Sequence, residues 1–431
     1  MSHETEDGTT RLRVNWAGNY AYCAAALYEP GSVAELQQLI PAFGQVKALG
    51  ARHSFNSIAD TLGTQISLAA FKSIDINTSD AADPTVTIGA GVTYGELAPF
   101  LHRHGFAVPN LASLPHISVI GACATATHGS GLANQCLSSA VCALDLVTAS
   151  GELLHLSRAQ NPDIFPGAVV ALGALGIVTS LTLDLIPAFL VAQTVYENLP
   201  FHELEHSLID IFSAGYSVSL FTDWQRHRAT QAWIKRKVDN SGEPAHIPDA
   251  FFDATLQTTK LHPLPGHSAE NCTEQLNLPG AWHDRLPHFR MDFTPSSGAE
   301  LQTEYFVPLA NALDAIRAIE ELRDRITPHL FISELRTVAA DDLWLSMAYA
   351  RDSLAIHFTW QPEPEAVSAL LPLIETQLAP FAARPHWGKL FTTAPETLRQ
   401  LYPRFRAFRE LAARLDPRGN FCNEYLIALL V

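Results

Sequence analysis

Apolar and polar residues alternate with period two at residues 64–68, 73–76 and 84–88, and residues 45–49 form a short apolar run of strand character. That pattern predicts short strands, each half buried. Two helical stretches sit among them. Ser32, with Glu35 three residues later, marks a capping-box start for a helix over 33–42. Residues 94–104 read as an amphipathic helix that Gly105 stops. Residues 143–148 and 153–156 flank Ala149-Ser150-Gly151-Glu152 as a hairpin. Residues 163–173 read as a helix, residues 177–185 as a strand, and Pro187 as a boundary.

From about residue 188 the rhythm changes. Helical periodicity at 202–213, 308–326, 365–381 and 395–415 alternates with strands at 217–222, 231–237, 303–308, 331–338 and 354–361. This order predicts an antiparallel sheet covered by helices on one face. Residues 238–298 hold many Pro, Gly, Asn and His and read as loops. The expected organisation is a disordered tail at 1–14, a first domain at 15–187, a second at 188–380, and a segment at 381–431 that returns to the first.

Strand period places Glu334 with Arg336 on one face, His357 with Thr359, and Gln302 with Glu304. The intervening Leu335, Ile356 and Phe358 are apolar and suit packing under helices. A solvent-facing sheet is the plain alternative. Such a face is more usually Lys and Glu, and the mix of carboxylate, guanidinium, imidazole, amide and hydroxyl here argues against it.

The strand at 45–49 runs into Gly50-Ala51-Arg52-His53-Ser54-Phe55-Asn56. A strand, a tight turn and exposed amides form a common phosphate cradle. A histidine there is placed for chemistry or for covalent attachment, or else simply caps the turn. Residues 109–131 are rich in Ser, Thr, Gly and Ala, which lets backbone approach a pyrophosphate or a flat ring. A helix contact of small residues would look similar. Gly89-Ala90-Gly91 invites a dinucleotide reading, but the third glycine falls at the wrong spacing for GxGxxG.

Charge narrows the partners. The net charge is −16 with no basic block, a poor match to nucleic acid or an anionic membrane. Six cysteines with no CxxC pair suggest buried thiols in a reducing compartment, so the expected location is cytoplasmic. The start is polar and acidic, unlike a signal peptide, and no apolar run approaches a membrane span. His202 and His206 are four apart on a helix but lack a third ligand in the sequence, so no metal is expected.

Four stretches in order carry a resemblance: residues 48–56, residues 89–97, residues 114–121 running into 125–131, and Gly173-Ala174-Leu175-Gly176-Ile177-Val178-Thr179. Together they resemble the FAD domain of the vanillyl-alcohol oxidase superfamily. Within it the chain resembles the alditol (xylitol/sorbitol) oxidases and, more distantly, the L-gulonolactone oxidases. The resemblance spans about residue 15 to the end. It implies an α+β fold with a two-subdomain FAD-binding domain and a cap domain whose antiparallel sheet is covered by helices. It also implies FAD held covalently through His53, with contacts at Ala48, Leu49, Gly50, Ala51, Arg52, Ser54, Ala112, Ser113, Ser118, Gly121, Thr125, Ala126, Thr127, His128, Ile177, Val178 and His386. Where that family has a small glycine-rich step before the histidine, this sequence has Arg52.

In the alditol oxidases the polyol lies between flavin and cap sheet. The matching positions here are Ser113, Gln302, Glu334, Arg336, His357, Thr359 and Lys389. The implied activity is oxidation of a terminal alcohol with O2 as acceptor, in a monomer. His357 is the expected base, since imidazole titrates near neutral pH. Glu334 and Arg336 are expected to brace one another, and Lys389 to orient hydroxyls. A sugar-lactone oxidase or dehydrogenase on the same scaffold is the alternative.

Overall fold

A computed structural model of the chain describes residues 13–239, 242, 244, 246–291 and 299–431. Residues 1–12 of the expected tail lie outside that range; Val14 pairs with Ala21 in a single bridge. Three sheets dominate. A small parallel sheet joins β1 (Ala26–Tyr28), β3 (Thr64–Ser67) and β2 (Val46–Leu49), in that order. Beside it runs α1 (Val33–Leu39), capped by Ser32 as expected, with a tighter 3₁₀ turn over Ile40–Ala42 where Pro41 cannot donate. Glu35 closes its end of the cap on Gly31 N–H, one residue earlier than the usual box.

An antiparallel sheet follows, in the order β4 (Ile74–Asn77), β5 (Thr85–Gly89), β9 (Ile177–Asp184), β7 (Val141–Val147), β8 (Leu153–Ser157). Its helices are α2 (Tyr94–Arg103), with a complete Thr93–Glu96 capping box, and the short α3 (Val119–Ala124) and α4 (Phe165–Val169). The helix expected over 163–173 is cut to α4. The chain adopts left-handed backbone at Leu172 and Gly173, which no helix can continue through. Strands β6 (Phe106–Ala107) and β10 (Ile186–Pro187) pair beside this sheet.

The large sheet runs β14 (Ala250–Phe251), β15 (Ala254–Leu256), β11 (Leu190–Pro200), β13 (Arg228–Lys237), β12 (Ser217–Thr222), β18 (Leu330–Val338), β19 (Ser353–Trp360), β17 (Leu301–Pro308), β20 (Arg384–Pro385), with β16 (Gly280–Ala281) on β11. Helices α5 (Phe201–Ser213), α6 (Ala312–Glu320) and α8 (Pro364–Leu378) cover one face, with α7 (Arg323–Ile326) at its edge. Leu335, Ile356 and Phe358 are fully buried under them, each worth roughly 1.5–3 kcal/mol over exposure. The opposite, polar face is left to line a cavity. Strand β11 was not expected. It is buried on both faces and includes Gln193 and Thr194, so its apolar alternation is broken.

The helix expected over 395–415 is two, α9 (Pro395–Leu401) and α10 (Phe405–Leu415). Pro403 forces Tyr402 into extended backbone between them. Helix α11 (Glu424–Leu430) closes the chain, and Asn423 Nδ2 ties it to the Ser57 and Asp60 carbonyls, both at 2.8 Å. All six cysteines are free thiols; Cys123, Cys136 and Cys272 are buried as expected, whereas Cys142 and Cys422 are half-buried and Cys23 is exposed. No helix among the described residues is long and apolar enough to cross a membrane.

Candidate active site

The loop after β2 is fastened by its carbonyls and ends. Arg52 C=O accepts from Trp16 N–H at 2.8 Å, and Ser54 C=O from Asn15 Nδ2 at 2.9 Å. Phe55 N–H donates to Gly388 C=O at 2.8 Å, and Asn56 Nδ2 to the Trp387 and Lys389 carbonyls. Arg52 takes left-handed backbone, φ 63°. Among the described residues no protein acceptor meets the N–H groups of Ala51, Arg52, His53 or Ser54. Four consecutive amides without protein partners suit an anion or a polar ring edge. The His53 ring stacks on Trp16, centroids 5.0 Å apart at 21°. Burial pulls the His53 pKa down to about 4, so its imidazole is neutral at neutral pH.

Gly50 and Gly121 face Ser118 from two elements. A Cβ would meet Ser118 Oγ at 2.9 Å from Gly50 and at 2.7 Å from Gly121, so glycine at both positions leaves the Ser118 hydroxyl its place between them. This wall and the polar face of the large sheet enclose one cavity of about 550 Å³. Every expected cofactor and substrate position lines it except Ala126 and Ile177. These two side chains are buried in hydrophobic cores instead.

On the sheet side, Glu304, His357 and Glu334 lie abreast across β17, β19 and β18. Glu304 is the hub. Its Oε1 accepts from Arg336 Nη2 at 2.7 Å and faces His128 Nε2 at 3.1 Å, and its Oε2 accepts from Lys389 Nζ at 2.7 Å. Lys389 Nζ also donates to His357 Nδ1 at 2.7 Å, while His357 Nε2 lies 3.1 Å from Thr359 Oγ1. That arrangement places the His357 lone pair on Nδ1 and its proton on Nε2. Burial, helped by the Lys389 charge, lowers the His357 pKa to about 4. Burial opposes ionisation of Glu304 and Glu334. Lys389, His128 and Arg336 nonetheless hold Glu304 below the usual carboxylate range, and Arg336 and His288 do the same for Glu334.

The expected Glu334–Arg336 brace is looser than the contacts around it. Arg336 Nε lies 3.5 Å from Glu334 Oε2, and the guanidinium's short bond goes to Glu304. Arg336 Nη1 also reaches Ser113 Oγ at 3.3 Å, linking the sheet to the cofactor wall. His386 lines the same cavity and accepts the Gly388 N–H at Nδ1. Residues outside the expected site also matter. Glu304 was legible by its alternation with Gln302. His288, from a loop-rich stretch, and Trp16 carried no sequence signal. On the far side of the large sheet, His202, Glu203 and Asp253 cluster within 4.8 Å, His202 and Asp253 exposed to solvent; His206 is not part of the group.

Residues 24–157 match the FAD binding domain family, and residues 293–429 match the D-arabinono-1,4-lactone oxidase family. The chain is 48% identical over 418 residues to an alditol oxidase of Streptomyces sp. (strain IKD472 / FERM P-14339), covering 96% of this chain and 98% of that one. It is 30% identical over 429 residues to an L-gulono-1,4-lactone dehydrogenase of Mycobacterium tuberculosis, covering 95% and 97%. A crystal structure of cholesterol oxidase from B. sterolicum superposes with TM-score 0.78 at 15% identity, over 97% of this chain and 96% of that one, a likeness of fold. The fold is that of an FAD-dependent oxidoreductase of the vanillyl-alcohol oxidase type. Within that class the chain belongs to the alditol oxidase family. The partnerless amides at 51–54 and the glycine approaches at Gly50 and Gly121 fit FAD.

Proposed function

We propose that this protein oxidises the terminal CH2OH of an alditol such as xylitol or sorbitol to the aldose, with O2 reduced to H2O2. The observation that carries the reading is the buried polar face of β17, β18 and β19 sharing one cavity with the cofactor loops. A polyol offers little apolar area, so paired donors and acceptors must fix it. Residues 15–187 and 381–431 would hold the cofactor and 188–380 the substrate. The 48% identity to an alditol oxidase supports the choice of polyol.

Bound FAD supplies the two-electron acceptor. The chain's own residues hold the alcohol and manage its proton. Glu334 accepts from substrate hydroxyls; Arg336, Gln302, Thr359 and Ser113 complete the grip. His357 is the proton acceptor. Its Nδ1 already takes a hydrogen bond from Lys389, so the reacting hydroxyl reaches that lone pair only by taking the place of the ammonium there. Lys389 then stays on Glu304 and orients the oxygen. The reading includes covalent attachment of the flavin at His53, and a monomer in the cytoplasm.

The match of residues 293–429 to the D-arabinono-1,4-lactone oxidase family favours one second reading, a sugar lactone as substrate. A panel of alditols and lactones separates the two. Anaerobic xylitol or sorbitol should bleach the flavin, and air should restore it with near-stoichiometric peroxide. Bleaching by a lactone and by no alditol would overturn the polyol reading.

A further inference from the structure

We propose that Glu304 is a positioning residue, which fixes Lys389 and Arg336 toward the substrate without binding the substrate itself; the proposal rests on the polyol reading above. The argument is one of donor and acceptor capacity. Glu304 is about as buried as a side chain can be, 1% exposed, and the protein occupies both of its oxygens. A hydroxyl would have to displace a charged partner to reach it. Lys389 and Arg336 are different. Lys389 Nζ spends bonds on Glu304 and His357 and has a third N–H to give. Arg336 Nε has no close hydrogen-bond partner, its nearest carboxylate oxygen being Glu334 Oε2 at 3.5 Å. The two cations therefore keep capacity for a ligand, and Glu304 holds both from behind. Its backbone is equally fixed, opposite His357 in the ladder and with its C=O on His386 N–H at 2.9 Å.

The groups facing Lys389 and Glu304 come from every neighbouring element. They are His128 from the cofactor wall, Glu334 and Arg336 on β18, His357 on β19, and His386 beyond β20. Two carboxylates face two permanent or near-permanent cations. Without the Glu304 charge, Lys389 and Arg336 would share one carboxylate inside a desolvated cavity. Burial already pulls the Lys389 pKa down, and Glu304 is the foremost group opposing that shift. Loss of the charge should move Lys389 deprotonation to lower pH by at least about one unit, a tenfold change in proton affinity.

The test uses the holoenzyme with Glu304→Gln, which keeps the volume and removes the charge. Stopped-flow flavin reduction by xylitol is followed against pH, together with a pH titration of the oxidised flavin spectrum without substrate. The basic limb of the rate profile and the spectral midpoint should both move down by at least about one unit in Glu304→Gln. Glu304→Asp should leave the limb near its wild-type pH and slow reduction. A merely structural role would lower the rate of Glu304→Gln with its limb in place, and that result overturns the proposal. A spectrum that titrates at the same pH in both proteins, or in neither, does so as well. Should Glu304→Gln fail to fold, Lys389→Met decides. Loss of the basic limb supports the assignment, and a limb that persists overturns it. If alditols do not reduce the wild-type flavin, the polyol reading fails, while the spectral titration still judges Glu304.

Discussion

Nε2 of His288 lies 2.7 Å from Oε1 of Glu334, nearer than any atom of Arg336 two residues along the same strand. The histidine is oriented from behind. Lys235 Nζ lies 3.1 Å from His288 Nδ1 and donates to the Leu286 and Pro287 carbonyls. Nδ1 is therefore the acceptor, and Nε2–H donates to the carboxylate. This repeats, on the other flank of the sheet, the lysine-to-histidine bond between Lys389 and His357.

The first prediction follows from that pair. His288→Ala removes the charge-assisted hydrogen bond that aims Glu334, worth roughly 1.5–3 kcal/mol, or on the order of ten- to a hundredfold. We expect kcat/KM for the alditol to fall by that factor, with flavin content and visible spectrum unchanged. Peroxide assays on purified holoenzyme measure it. An unaltered kcat/KM would show that Glu334 needs only Arg336.

Much of this site was legible in the sequence, and the reasons for the gaps are physical. Glu334, Arg336, His357 and Thr359 sit on strands of clean period two, so their shared face could be read directly. Glu304 was placed on that face, but strand period cannot reveal that one carboxylate gathers three partners from separate elements. His288 and Trp16 reach the site through irregular backbone, where no periodicity exists to read. Strand β11 escaped because a strand buried on both faces loses its alternation, and its buried Gln193 and Thr194 look like surface. Ala126 and Ile177 were carried over from the family pattern, yet their side chains pack into cores.

Arg52 tests the cofactor loop. At φ 63° it holds a left-handed conformation that costs a non-glycine residue roughly 1–2 kcal/mol. Arg52→Gly should relieve that strain and lose part of the gain to a freer unfolded chain, so stability should change by less than about 1 kcal/mol. Arg52→Ile should lower stability by about 1–2 kcal/mol, since β-branched residues suffer most at positive φ. Thermal unfolding of the two variants in parallel makes the comparison. Equal melting temperatures would mean the loop is not held left-handed at this residue.

His53 makes a chemical prediction. Acid-denatured protein should stay yellow after gel filtration, and His53→Ala should not. Burial keeps the unmodified imidazole neutral, its pKa near 4. Flavin attachment to apoprotein should therefore show no histidine titration between about pH 6 and 8. Trp16→Ala removes the ring stacked on His53 and should slow attachment without abolishing it. Complete release of flavin from the wild-type chain would remove the covalent assignment.

The last prediction concerns acid stability of the unloaded protein. His288 and His357 are buried, and their folded pKa values are pulled to about 4 against an unfolded value near 6.5. Between those limits the unfolded chain binds protons that the folded chain refuses. The stability these groups contribute is complete above about pH 6.5 and is lost as pH falls through about 4. By pH 5 the loss should be on the order of 1–2 kcal/mol for each histidine. The site carboxylates act in a different window, and Asp341, raised by burial to about 6, opposes the decline because the folded chain binds its proton first. Glu304 and Glu334 have folded values below the usual range, so their contribution fades only below about pH 4.3. Lys47 and Lys235, lowered by burial to about 7, change stability only above that pH. The decline between about pH 6.5 and 5 thus belongs to buried histidines. Urea midpoints of apoprotein should drop across that interval, and His288→Gln and His357→Gln should each flatten the drop. Midpoints that stay level from pH 7 to 5, or an equally steep drop in both variants, would show that these imidazoles take up protons without unfolding the chain.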